Sequence, residues 1–375
     1  MKKINIASVI AILSLLAVLS PARADMQING YFHKNADQKA GLAGRLDLAG
    51  PQKMLLQFPQ KTDKQYRIAL VVPQLDDTWQ TFAYAVHKAS EDFKLKLQVY
   101  SAQSYLNIGQ QIKLLTRDAI NHDGVLLAAN DSYKLARAIN EAAKKVPVVG
   151  YANEVYAEGI SAKAMVYYHD ASFGLGKWVI DHIQQTKPTG KVRIAIVMGP
   201  EGAAWSNDMI SGFRDAIEND DRIKDRVEIV TQLHGHTKPK MQERLVRVAL
   251  KHNDNIDYML GTAPAVERAV FIKDEYKDKH PNLKLIAPYI NGDLYKGLKR
   301  GDILVAVNDQ MIDMGKIAVV NLLRLMHGET PDVEKGDFAF VSGPQTNLLT
   351  QENILKFSYE SLFGPKDFKA LAIVR

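Results

Sequence analysis

From residue 67 the chain alternates short apolar runs with longer stretches in which apolar residues recur every three or four positions. RIALVVP (67–73), LKLQVYSA (95–102), GVLLAAN (124–130) and VPVVGYAN (146–153) have the length and β-rich character of strands. Between them, FAYAVHKASEDFKL (82–95), IGQQIKLLTRDAINH (108–122) and YKLARAINEAAKK (133–145) carry the period of amphipathic helices. Strands that are apolar throughout must be covered on both faces. The alternation therefore predicts βαβ units around a parallel sheet.

The rhythm breaks at EVYAEGISAKAMVYYHD (154–170) and then restarts. VRIAIVMGP (192–200), VEIVTQL (227–233), IDYMLGTA (256–263), LKLIAPYI (283–290) and DILVAVN (302–308) read as strands. Helical stretches separate them, and IDMGKIAVVNLLRLMHG (312–328) follows as a long apolar helix. The expected fold class is α/β, with two Rossmann-like lobes of similar size, each on a parallel sheet. Residues 25–63 show no such period and read as an irregular N-terminal extension.

The 375-residue chain opens MKKINIASVIAILSLLAVLSPARADMQ. Lys2 and Lys3 precede an apolar segment too short to prefer a membrane span, and Ala22-Arg23-Ala24 supplies small residues for cleavage. This predicts a signal peptide over 1–24 and a soluble periplasmic product with no direct membrane insertion after cleavage. Loss of Lys2, Lys3 and Arg23 takes the formal charge from +6 to 6 − 3 = +3. With both signs mixed along the chain, nucleic acid is not an expected partner. The chain has no cysteine, which removes disulfides, thiolate metal sites and cysteine nucleophiles.

Ligands of open α/β sheets bind beyond the carboxyl ends of the strands. Those turns hold Asp76, Asp77 and Trp79 in the first strand-to-helix connection, and Tyr105, Asn130, Asp131 and Asn153 in later ones. The second unit offers Trp205, Asn207, Tyr289, Asn308, Asp309 and Gln310 at equivalent places, with Tyr168 at the break. Aromatic residues recur in both halves, and arginine is absent from these turns. Asp76 and Asp77 are adjacent in a turn and diverge, so they make a poor acid–base pair. One of them suits the cap of the following helix. His234 and His236 lack a third ligand nearby. The expectation is a binding protein without catalytic residues, metal or cofactor.

Three stretches, IVMGPEGAAWSNDMISGFRDAI (196–217), MLGTAPAVERAV (259–270) and YKGLKRGDILVAVNDQMIDMGKIAV (295–319), resemble type I periplasmic binding proteins of the ribose-binding class. Within that family they are most similar to the subgroup that works with a membrane sensor histidine kinase in detecting trimethylamine N-oxide (TMAO). The resemblance covers roughly 66–357. It implies a three-strand hinge with crossings near 167–170, 310–312 and 343–345. It also implies lobes formed by 64–169 plus 311–342 and by 170–310 plus 343–375. The implied ligand is TMAO or a related methylated amine, and the implied partner is the periplasmic domain of the kinase. An ABC importer's binding protein, for a sugar or other small solute, is the alternative. The family's aromatic pocket falls on Trp79, Tyr105 and Tyr289. Thr78 stands where the subgroup has a tyrosine, Tyr168 where it has a tryptophan, and Trp205 where it has a glycine. Asn207 aligns with an arginine of ribose-type pockets. The candidate ligand-binding set is thus Trp79, Tyr105, Tyr168, Trp205, Asn207, Tyr289 and Gln310, with Asp77 and Asp131.

Overall fold

Two sheets, each sandwiched by helices, organise the protein. The computed structural model describes residues 26–32, 52–56 and 64–374, except 187, 189, 202 and 332–338. The expected signal peptide lies outside these residues. No helix among the described residues is long and apolar enough to cross a membrane.

The chain begins with β1 (Met26–Phe32), β2 (Gln52–Leu56) and β3 (Arg67–Val72), followed by helix α1 (Asp77–Asp92) and β4 (Lys96–Ser101). After α2 (Ile108–Lys113) come β5 (Gly124–Leu127), α3 (Ala136–Ala143), β6 (Val148–Tyr151) and β7 (Ala162–Ala164). The parallel core of this first sheet runs β4-β3-β5-β6-β7. Its central strands are buried on both faces: Ile68 to Val72 and Val125 to Leu127 are all 0% exposed. That burial is why they read as continuous rather than alternating apolar runs.

Helix α4 (Tyr168–Thr186) opens the second unit. It is followed by β8 (Val192–Met198), α5 (Ala204–Glu218), β9 (Val227–His234) and α6 (Pro239–His252). Next come β10 (Tyr258–Gly261), α7 (Ala263–Ile272), β11 (Lys284–Ala287), α8 (Gly292–Arg300) and β12 (Val305–Asn308). The second sheet runs β9-β8-β10-β11-β12, all parallel, with Leu260 opposite Ile196 in register. Helix α9 (Met311–Met326) then returns to the first unit and packs on α1. Gly315 makes that approach possible, because an added Cβ would overlap the Cβ of Ala85. Since α9 lies between α1 and the sheet, residues such as Met314, Ile317, Ala318 and Val320 are buried around most of its circumference.

Strand β13 (Val341–Pro344) joins the first sheet beside β7, and β14 (Asn347–Thr350) joins the second, antiparallel to β12. The chain therefore passes between the sheets three times, after Ala164, after Asn308 and after Pro344. Short α10 (Tyr359–Phe363) and β15 (Ala372–Ile373) complete the chain.

Two readings of the sequence are corrected. Within the span read as irregular, β1 pairs with β13 and β2 pairs with β1, which extends the first sheet antiparallel. The chain end, assigned with the second unit, returns to the first: Ala372 lies opposite Val99, and the Ala370 N–H donates to Gln80 Oε1 at 2.8 Å. Both are edge additions whose pairing energy comes from residues far away in the chain, which no local period records.

Candidate functional site

The carboxyl ends of both sheets, and the N-termini of α1, α4, α5 and α7, converge on one cavity of about 50 Å³. The first unit brings Trp79 and Phe82 from α1, Tyr105 from the loop after β4 and Asn153 from the loop after β6. The second brings Tyr168, Trp205, Met209 and Tyr289, with Thr237 and Pro264. Asp309 reaches it from the crossing between β12 and α9, and Asp76 and Thr78 from the turn before α1.

Each aromatic wall is held from behind. Asp76 caps α1 by accepting the Trp79 N–H at 3.0 Å, which fixes the first helical turn. The Trp79 indole packs on Phe82 with centroids 5.0 Å apart, and Phe82 meets the edge of Tyr151. Trp79 Nε1 donates to the Tyr105 hydroxyl at 3.2 Å, and Asn153 Nδ2 donates to the same oxygen at 3.2 Å. Tyr105 thus accepts two hydrogen bonds and keeps its own O–H to donate. Burial pushes its phenol well above the ordinary range, so that proton stays in place.

Trp205 lies 6.4 Å from Tyr105 and 6.2 Å from Tyr289, the latter at 86°, edge to face. It links the aromatic surfaces of the two units. Its seat depends on Gly199 at the end of β8, where an added Cβ would overlap the indole ring. The indole Nε1 is buried without a hydrogen-bond partner. At the mouth, Gln74 Nε2 donates to Asp76 Oδ2 at 2.6 Å and to Thr237 Oγ1 at 3.3 Å, so a hydrogen bond also spans the units there.

Of the nine residues expected from sequence, the structure gathers Trp79, Tyr105, Tyr168, Trp205 and Tyr289 on the cavity. The other four are not on its lining. Asp77 is exposed in the first turn of α1. Asp131 accepts the backbone N–H groups of Tyr133 and Lys134, at 3.0 and 2.9 Å, and pairs with the Lys134 ammonium. Asn207 is exposed and donates to the Glu201 carbonyl at 2.7 Å. Gln310 adopts a left-handed backbone, φ 52°, and donates to Asn347 Oδ1 at 2.9 Å. Asn308 donates to that same oxygen at 3.1 Å, so the three amides tie two crossings together. Short polar residues at strand ends are also good local caps and braces, and sequence position alone does not separate the two uses.

Asp309, next to Gln310, lines the cavity in its neighbour's place. It is 1% exposed, and its Oδ1 has no hydrogen-bond partner. Burial pushes its carboxyl up to about 7, an effect its own backbone N–H partly offsets. Phe82 and Met209 line the cavity as well, outside the expected set. They follow Trp79 and Trp205 by three and four residues, the spacing that places side chains on one helix face. His234 contacts Gln232 and the Gly199 carbonyl, and no group of potential metal ligands occurs among the described residues.

A model of the periplasmic binding protein domain matches residues 68–330. The periplasmic protein TorT of Escherichia coli (strain K12) is 24% identical over 274 residues, 72% of this chain and 76% of TorT. An ABC transporter solute binding protein from Bradyrhizobium sp. BTAi1, solved with bound Bis-Tris, superposes with a TM-score of 0.72 at 24% identity. That match covers 92% of this chain and 97% of the other. The complex of the TorS sensor domain with TorT in the presence of TMAO gives 0.69 at 21% identity, over 82% of this chain and 100% of the matched one.

Proposed function

The chain belongs to the periplasmic binding protein family, and from that premise we propose that it captures TMAO or a closely related methylated amine and reports it to a membrane sensor histidine kinase. The observation that carries this reading is the aromatic lining contributed by both units. A methylated nitrogen has no N–H to offer and spreads its positive charge over methyl groups. Aromatic faces suit it, at about 0.5–2 kcal/mol each depending on desolvation. Tyr168 replaces a stronger tryptophan face, and Trp205 on the same cavity compensates for it.

Size points the same way. A water needs roughly 10–15 Å³, so about 50 Å³ holds a handful of waters or a solute of similar bulk. TMAO has five heavy atoms and a pentose has ten. The lining contains no Lys, Arg or His to hold an anion. In this reading the protein is exported, its signal peptide is removed, and it acts in the periplasm without catalysing a reaction. Solute stabilises the arrangement in which Tyr105 meets Trp205 and Gln74 meets Thr237 across the units. A kinase domain then reads the closed surface. The likeness to TorT, and to TorT in complex with the TorS sensor domain, supports that partner.

Titration calorimetry with TMAO, trimethylamine, glycine betaine and D-ribose tests the solute class. Methylamine binding is expected, and tight ribose binding with no methylamine bound refutes it. Co-purification with the sensor domain of a kinase encoded nearby tests the partner. A second reading, delivery of the solute to an ABC importer, is favoured by the Bradyrhizobium neighbour. Solute uptake that depends on this protein would establish that reading instead.

A further inference from the structure

We propose that Asp309 is the specificity-determining polar contact of this cavity and that it meets the solute in its acid form, donating its O–H to a single oxygen such as that of an N-oxide. The inference rests on the solute site proposed above and adds the chemistry of its polar end.

Asp309 is fully enclosed, lines the cavity, and leaves Oδ1 without a partner. A buried polar atom left unpaired is strongly disfavoured unless something answers it. No Lys, Arg or His lines the cavity to answer it. Its titratable neighbours are the phenols of Tyr151 on β6 and Tyr289 after β11, both pushed up by burial first and by Asp309 second or later. Asp76, Tyr105 and Tyr168 share the cavity. With no positive partner on the cavity lining and only 1% of the residue exposed, Asp309 favours the neutral acid below about pH 7. A neutral carboxylic acid carries a proton to donate. Trp205, which also lines the cavity, holds a second unengaged donor in its buried Nε1. A solute whose polar end is one strongly accepting oxygen, with no hydrogens of its own, satisfies both.

The test is the pH dependence of TMAO affinity, measured by calorimetry from pH 5.5 to 8.5 on the mature wild type, Asp309→Asn and Asp309→Leu, with circular dichroism to confirm folding. Wild-type affinity should be level below about pH 6 and fall about tenfold per unit above pH 7, as the acid form is lost. Asp309→Asn, whose amide still donates, should bind with little pH dependence. Asp309→Leu should lose tenfold or more at pH 6. Wild-type affinity that rises with pH, or is level throughout, overturns the acid-donor role while leaving the solute site intact. If no methylamine binds at any pH, the site reading fails and this inference fails with it.

Discussion

Asp309 also makes a prediction that needs no ligand. In the unfolded chain its carboxyl has its ordinary value near 3.8, and in the folded protein burial raises it to about 7. The folded-state value is the higher one, so the folded protein holds the proton over a pH range in which the unfolded chain has released it. Below about pH 4 both states are protonated and Asp309 carries no penalty. Between about pH 4 and 7 stability falls as pH rises, and above pH 7 the penalty is full. A separation of about three pH units at 1.36 kcal/mol each gives a ceiling of about 4 kcal/mol. From pH 5 to pH 8 the change is about 2–3 kcal/mol on the same conversion. Asp309→Asn removes the proton and keeps the shape, so its stability lacks that slope. The assay is urea unfolding of wild type and variant, without solute, at pH 5, 6, 7 and 8. Other titrating groups cancel in the difference. The variant should gain on the wild type as pH rises. A constant difference across the four values would refute the argument and would mean that water reaches Asp309 Oδ1.

Gly199→Ala should displace the Trp205 indole and weaken methylamine binding about tenfold, read by calorimetry, while far-UV circular dichroism stays unchanged. Trp79→Ala should weaken binding and also destabilise the first unit by about 3–5 kcal/mol, as large-to-small core changes do, because the indole packs on Phe82. Trp79→Phe keeps most of the packing but loses the bond to Tyr105, so it should show a binding defect with a smaller stability loss. Lys163→Met strands Glu154, its buried partner, and should lower stability by about 3–5 kcal/mol. The double variant Lys163→Met/Glu154→Gln should recover much of that loss in urea unfolding.

Much of this protein was legible in the order of its residues. Runs such as IALVV and IAIVM are strands buried on both faces because only a covered parallel sheet hides so many consecutive apolar side chains. The turns after them placed Trp79, Tyr105, Trp205 and Tyr289 at one edge, because chain direction alone sends the carboxyl ends of parallel strands to the same side. What the sequence could not rank was the use of each short polar residue in those turns. Asp131, Asn207 and Gln310 carry groups suited to a ligand, yet the backbone groups and amides that folding brings beside them engage those groups first. Asp309 differs from Gln310 by one position. The left-handed turn at Gln310 directs one side chain to Asn347, and the other is enclosed with its Oδ1 unpaired. The strand pairings of β1 with β13 and of β15 with β4 are equally non-local. Local period fixes which segments are strands and helices. Distant partners decide which edges join, and which buried group is left unpaired.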